Sequence, residues 1–514
     1  MIVFPLIAAV LLFAISLSDR ARGAGTVALS LQGAAVAVVA LSLALLVWLR
    51  KTGVTRTIEF TGARKQHYIQ AMVQLSIFLY WGWYWQLTNG TRPVYLMAPL
   101  ILAQLAFAYA IDALVSLWRR EKYVFGFGPF PIIFSINLFL WFRDDWFYLQ
   151  FVMIAVGVLG KEFIRWEREG RKVHIFNPSA FALGLFSLIL VLTSSTGMTW
   201  GPEIASTLRL APRIYLYLFL GGLVVMYFFR ITLLTMTAAA TLFGLGAAYY
   251  AITGVPYFLD TEIPTAVFLG LHLLITDPST SPRTPPGKIV FGVLYGASVF
   301  GLYTILGSFG APTFYDKLLA VPLLNLSVRW IDRMVAGIPV TSIWKKLGLD
   351  ALEHRANLMH MSVWIAFFAG MTLLGKTDGR HTGDSLPFWG EACSNELPNA
   401  CKRLLLLETT YCTDNSGWAC NEVGRHYTEG RITAMNEDRA FGYYSRACEL
   451  RYQAGCLNLL DPGSVTEANP RAFDLRLLLR EGGLNLLDMP EPQLYTRACE
   501  HGWAFACNRV AGAL

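Results

Sequence analysis

Two short polar clusters interrupt otherwise apolar sequence: "HIFNPSAF" from His174 and "TDPSTSP" from Thr276. In the first, Asn177 suits a helix N-cap and Pro178 the first helical position, where a missing N–H costs nothing. Asp277 and Pro278 repeat the arrangement. Two helix starts of this kind would present unpaired N–H groups and partial positive charge, which favours an anion or the polar edge of a ligand. The same caps would equally serve any apolar helix entering from water. His272 lies about one turn before Asp277, and a lone histidine in an apolar span reads either as a cofactor or proton site or as hydrogen-bonded structure. Asp112, Lys161 and Glu162 also fall in apolar segments, where ionisable groups line cavities or pathways. Asp112 and Lys161 stand near the ends of their segments, where snorkelling to the surface also explains them. Gln74, Gln104, Asn137 and Asn325 are neutral partners.

The elements carrying these groups are membrane helices. The chain is 55% hydrophobic, 14% aromatic and only 15% charged, too apolar for a soluble protein of this length. Apolar stretches lie at about 2–17, 26–49, 68–87, 94–117, 129–142, 146–163, 178–194, 212–229, 231–253, 263–276, 289–309, 318–330 and 358–374. Most approach the ~20 residues that cross a bilayer, so the expectation is an all-α polytopic domain of about thirteen spans over residues 1–375. The opening "MIVFPL" lacks the basic start of a cleaved leader and reads as a retained helix. With a cytoplasmic N-terminus, the inner loops hold 21 Lys and Arg and the outer loops 7, the positive-inside asymmetry. Thirteen crossings would leave the C-terminus outside.

All eight cysteines lie in the tail, residues 376–514, as Cys393 and Cys401, Cys412 and Cys420, Cys448 and Cys456, Cys499 and Cys507. Each pair is eight positions apart, a pattern that reads as a disulfide framework in an oxidising compartment. Zinc sites favour gaps of about two to four residues and add histidines. The tail also repeats: "YYSRACELRYQAGC" and "LYTRACEHGWAFAC" share Tyr-x-Arg-Ala-Cys, and Cys412 to Cys448 is a 36-residue period. The first interval is 19 residues and the last 51. These segments resemble Sel-like repeats, short relatives of tetratricopeptide helix pairs. The resemblance implies an α-solenoid that presents a surface to a partner, or a cap on the membrane domain. His426 and His501 sit at ordinary repeat positions and read as structural.

Three stretches of the membrane domain carry a second resemblance: "GKEFIRWEREGRKVHIFNPSAFALGLF", "FLGLHLLITDPSTSPRTPPGKIVFGVLYGASVFGLYTILGSFG" and "LLNLSVRWIDR". In order, spacing and position at span ends they look like the membrane-embedded, flavin-carrying component shared by the Rnf electron-transport complex and the sodium-pumping NADH:quinone oxidoreductase. The resemblance covers about 93–335. It implies a flavin-binding subunit, with FMN or another flavin as cofactor, set among other membrane and periplasmic redox subunits in a bacterial inner membrane. It points to Lys161, His174, Asn177, His272, Thr276, Asp277, Thr280 and Asn325 as cofactor-binding residues. The family links one FMN to a threonine in a Ser-x-Ala-Thr context. Here the corresponding loop holds "IASTL", which makes Thr207 the nearest acceptor, and a second such motif is replaced by Glu262, Ile263, Pro264 and Thr265.

Two function classes follow. One is a redox subunit that relays electrons while its tail docks a periplasmic partner. The other is a non-redox descendant of the scaffold that transports a small molecule or ion, or anchors an envelope assembly. The sequence has no nucleotide-binding loop, iron–sulfur cysteine set or hydrolytic triad, so no catalytic or metal-ligating residue is assigned and nucleic acid is not an expected partner.

Overall fold

The computed structural model describes residues 3–60, 64–87, 90–168, 170–209, 211–259, 261–336, 354–377, 381–413 and 416–464. Cys499, Cys507 and His501 lie outside the described residues. The chain forms two compact units, one of Met1–Phe243 with Thr265–Met371 and the other of Gly244–Pro264 with Thr372–Leu514.

The first unit is mostly helical, and the chain is a multi-pass membrane protein. Among the described residues five helices are long and apolar enough to cross a bilayer: Gly25–Thr52, Ala98–Arg119, Thr232–Thr253, Pro285–Ser308 and His354–Leu373. A sixth arises if the broken pair Gly201–Arg209 and Ile214–Phe229 counts as one span. This corrects the expectation of thirteen. Val3–Ser16, Pro129–Phe139, Tyr148–Phe163, Pro178–Leu192 and Thr265–Leu273 run for 9 to 16 residues, or about 14–24 Å at 1.5 Å per residue, short of the ~30 Å hydrocarbon core. Lys65–Tyr84 and Asp316–Ala336 are long enough, but Lys65, Gln66, His67, Gln70 and Gln74 dilute the first and Asp316, Lys317, Arg329, Asp332 and Arg333 the second. The outward C-terminus that thirteen crossings would impose therefore does not follow from the count.

Thr265–Leu273 is buried at every residue, so this nine-residue helix packs against protein on all sides. Buried amides serve one another rather than lipid. Gln104 Oε1 accepts from Asn137 Nδ2 at 2.7 Å and Gln150 Nε2 at 3.2 Å, tying three helices. Two small sheets depart from an all-α fold: Thr57–Phe60 pairs in parallel with Lys122–Phe125, and Arg165–Arg168 pairs antiparallel with Arg171–His174. Each strand is only four residues long, and Gly170 supplies the positive φ that the hairpin turn requires.

In the second unit the cysteines pair as Cys393–Cys401, Cys412–Cys420 and Cys448–Cys456. Each bridge joins the end of one helix to the start of the next across a corner: Leu386–Ser394 to Ala400–Thr413, Ala400–Thr413 to Gly417–Glu429, and Glu437–Glu449 to Gln453–Leu460. The 19-residue interval is thereby explained, because the helix Ala400–Thr413 is stapled at both ends. His426 Nε2 meets Glu408 Oε2 at 2.8 Å in the interior, the structural role expected of it. On a chain-entropy basis each eight-residue loop contributes about 2.5 kcal/mol. Replacing Cys412 and Cys420 together by Ala should lower the stability of the full chain by roughly that amount in denaturant unfolding. In unreduced native protein, none of the six described cysteines should take an alkylating reagent.

Candidate functional site

The hairpin Arg165–Arg168 and Arg171–His174 delivers His174 to the start of Pro178–Leu192. Asn177 caps that helix as expected: its Oδ1 accepts from the Ser179 N–H at 3.1 Å, the Ser179 hydroxyl at 2.8 Å and the Ala180 N–H at 3.4 Å. Its Nδ2 donates to the Leu274 carbonyl at 3.2 Å, beyond the end of Thr265–Leu273.

Asp277 does not start a helix, which corrects the second half of the paired-cap expectation. Its Oδ1 accepts from the Ser279 N–H at 2.9 Å and its Oδ2 from the Thr280 hydroxyl at 3.2 Å, holding a turn. The helix begins at Pro285, with Thr284 as cap. Prolines decide this outcome. Pro282 would remove a donor inside a helix begun at Pro278, and Pro282 and Pro285 push Ser281 and Thr284 out of the helical region.

Asn325, in the middle of Asp316–Ala336, joins the two loops. Its Oδ1 accepts from the Asn177 N–H at 3.1 Å and its Nδ2 donates to the Thr280 carbonyl at 3.0 Å. His174 Nε2 lies 3.5 Å from Asp277 Oδ2. Arg168 adds a clamp that the sequence reading missed, donating to the Ser281 carbonyl at 3.2 Å and to Asp332 Oδ2 at 2.8 Å. Its signal was slight, one arginine in a run of charged residues that reads as a surface loop.

His174, Asn177, Asp277, Thr280 and Asn325 thus form one connected cluster. Thr276 adjoins it and donates its hydroxyl to the His272 carbonyl at 3.1 Å. Lys161 lies 3.6 Å from Asp112. His67, absent from the sequence-derived set, is within electrostatic reach of Lys161, Arg64, His174 and Asp277, and so marks Lys161 as a neighbour of the cluster. Asn177, Thr276 and Asn325 are buried and spend their side chains on the protein, whereas the side chains of Lys161, His174 and Asp277 are 30%, 23% and 21% exposed.

His272 stands apart in an aromatic surround. Its Nδ1 contacts the Phe268 carbonyl at 2.7 Å, Phe268 and Trp364 lie at ring-centroid distances of 4.5 and 6.1 Å, and Gly222 leaves just the space that the imidazole fills. Thr207 is at the other end of the unit. Its hydroxyl donates to the Glu203 carbonyl at 2.7 Å and accepts from Trp81 Nε1 at 3.3 Å. Trp81 and His67 are fourteen residues apart on Lys65–Tyr84, or about 21 Å along the helix. The Thr207 end and the His174–Asp277 cluster therefore occupy opposite faces. Glu162 is structural: Arg120 and Arg165 both bind its carboxylate, and Arg119 binds its backbone carbonyl.

Burial alone would push the Asp277 carboxyl up, but the His174 ring, the Ser279 N–H and the Thr280 hydroxyl outweigh it and hold the group below its ordinary value. The folded state therefore favours the carboxylate. Its contribution to stability is complete above the unfolded value near ~3.9 and is lost as pH falls below that. Asp277→Asn should flatten this acid limb in thermal melts recorded from pH 3 to 6. Asn325→Ala leaves a buried N–H and a buried C=O unpaired and should cost roughly 2–4 kcal/mol in unfolding measurements.

Over 165 residues the chain is 29% identical to NqrB, a component of the Na(+)-translocating NADH-quinone reductase of Stutzerimonas stutzeri (strain A1501), a match that covers 30% of this chain and 38% of that protein. The chain thus spans well under half the length of the relative it matches. No family model matches it, and no solved structure does. It is a distant, partial relative of the membrane subunit of a redox translocase.

Proposed function

We propose that this chain is a membrane electron-transfer subunit that binds a flavin on the His174–Asp277 face and works within a larger redox complex. The observation that carries the reading is the convergence of His174, Asn177, Asp277, Thr280 and Asn325, with Lys161 alongside, at one junction of broken helices. The similarity to a translocase component adds to it. The donor set suits FMN. Lys161, with Arg64 nearby, provides the positive charge that a phosphate needs. The part-exposed His174 ring and Asp277 carboxylate offer polar atoms suited to the ring or ribityl groups, and the Thr280 hydroxyl holds that carboxylate in place. Asn177, Thr276 and Asn325 position the loops rather than touch the ligand. A bound flavin would supply one- and two-electron transfer, and the protein's part is placement and electrostatics. Non-covalent binding fits this chain better than attachment at Thr207, whose hydroxyl is already engaged within its helix and with Trp81.

We read the tail as an α-solenoid of Sel-like repeats on the periplasmic side of a bacterial inner membrane, docking a redox partner. Its bridged cysteines and the excess of basic residues in the opposite loops support that side. The engaged Thr207 hydroxyl also favours a second reading, a non-redox descendant that transports a small molecule or ion or anchors an envelope assembly.

An absorbance spectrum of the full chain purified in detergent separates the two. The redox reading expects the visible isoalloxazine bands, flavin released on denaturation, and no fluorescent band left in a denaturing gel. Lys161→Ala and His174→Ala should each lower flavin affinity about tenfold, while Thr207→Ala should leave it unchanged. Colourless protein that does not take up added FMN would sink the redox reading and leave the second standing.

A further inference from the structure

A groove opens where Gly25–Thr52 packs near Ala98–Arg119 and Tyr148–Phe163, and the flavin reading uses none of the residues that line it. Its volume is 630 Å³, inside the ~300–1,000 Å³ range of small-molecule sites. Phe107 and Phe151 line it as an edge-to-face pair with centroids 5.0 Å apart. Along its wall a Cβ added at Gly33 would meet nothing within 4 Å, so the space beside that residue is open.

Length and charge say what fits. From Thr26 to Ala37 the wall runs eleven residues, or about 16 Å, close to the ~15 Å depth of one leaflet. At the rim, Trp146 and Tyr148 are 40% and 46% exposed, as aromatic side chains at a membrane–water interface are. Two aspartates stand beside them. Asp144 is neutralised by a two-pronged contact with Arg20, at 2.7 and 3.0 Å. Asp145 lines the groove, is exposed, and among the described residues pairs with no basic group. An apolar trough of leaflet depth with an uncompensated carboxylate at its mouth matches an amphiphile carrying one hydrocarbon chain and a positive head.

We propose that this groove seats one acyl chain of a phospholipid whose headgroup ammonium pairs with Asp145. The chain regains the van der Waals contacts that an open trough would forfeit, and the carboxylate selects among headgroups. The proposal stands whether or not the chain binds flavin.

The test is native mass spectrometry of the full chain in detergent, offered equal amounts of phosphatidylethanolamine and phosphatidylglycerol with identical acyl chains. Phosphatidylethanolamine should be retained by about fivefold over phosphatidylglycerol, the size expected of an exposed ion pair. Asp145→Asn, at an exposed position that leaves the fold intact, should abolish the preference without loss of total lipid. Gly33→Leu, which fills the open space, should lower retention of both lipids. Equal retention by the native protein, or a preference for phosphatidylglycerol, overturns the headgroup assignment. Undiminished lipid on a folded Gly33→Leu protein overturns the groove as the seat.

Discussion

Irregular backbone within a membrane protein persists only where its N–H and C=O groups find partners in the protein itself, and Asn325 supplies them for two loops at once. It accepts from the Asn177 N–H and donates to the Thr280 carbonyl, while Asn177 reaches on to Leu274. The end of the short helix Thr265–Leu273, the start of Pro178–Leu192 and the proline-rich turn before Pro285 thereby become one hydrogen-bonded body. The approach of His174 to Asp277 depends on that body, and the Arg168 clamp to Asp332 reinforces it.

Labour within the cluster is divided by how each side chain is used up. Both ends of the Asn177 and Asn325 amides are spent on the protein, so these residues fix the backbone and leave little for a ligand. Lys161, His174 and Asp277 keep partly exposed side chains. Thr207 belongs to a different layer, held by Trp81 near the far end of Lys65–Tyr84, where the Trp81, Trp85 and Trp141 rings cluster.

The tail solves a different problem. Its helices are eight to fourteen residues long, too short to hold a core singly, so they stack on neighbours. Eight positions separate the last turn of one helix from the first turn of the next across a tight corner. A cysteine at each place can therefore close the corner with a bridge.

Much of this was legible in the residues. Composition determined that the chain lives in a membrane, because so little charge leaves no other solvent for its surface. Asn177 before Pro178 determined a helix start, since capping is a local matter of one side chain and the next two or three N–H groups. The equal cysteine spacing determined the pairing of the six described cysteines, which is likewise local. Only the tertiary structure decided the rest. Asp277 and Pro278 look locally like Asn177 and Pro178, yet Pro282 and Pro285 downstream turn that segment into a loop closed by the distant Asn325. Hydropathy reads short buried helices and spanning helices alike, since both are apolar, so thirteen apolar stretches resolved into five or six candidate spans among the described residues. Arg168 carries only a slight sequence signal and His67 none, because the groups that give them meaning lie far away in the chain, and burial and pairing between distant segments are properties of packing rather than of any one stretch.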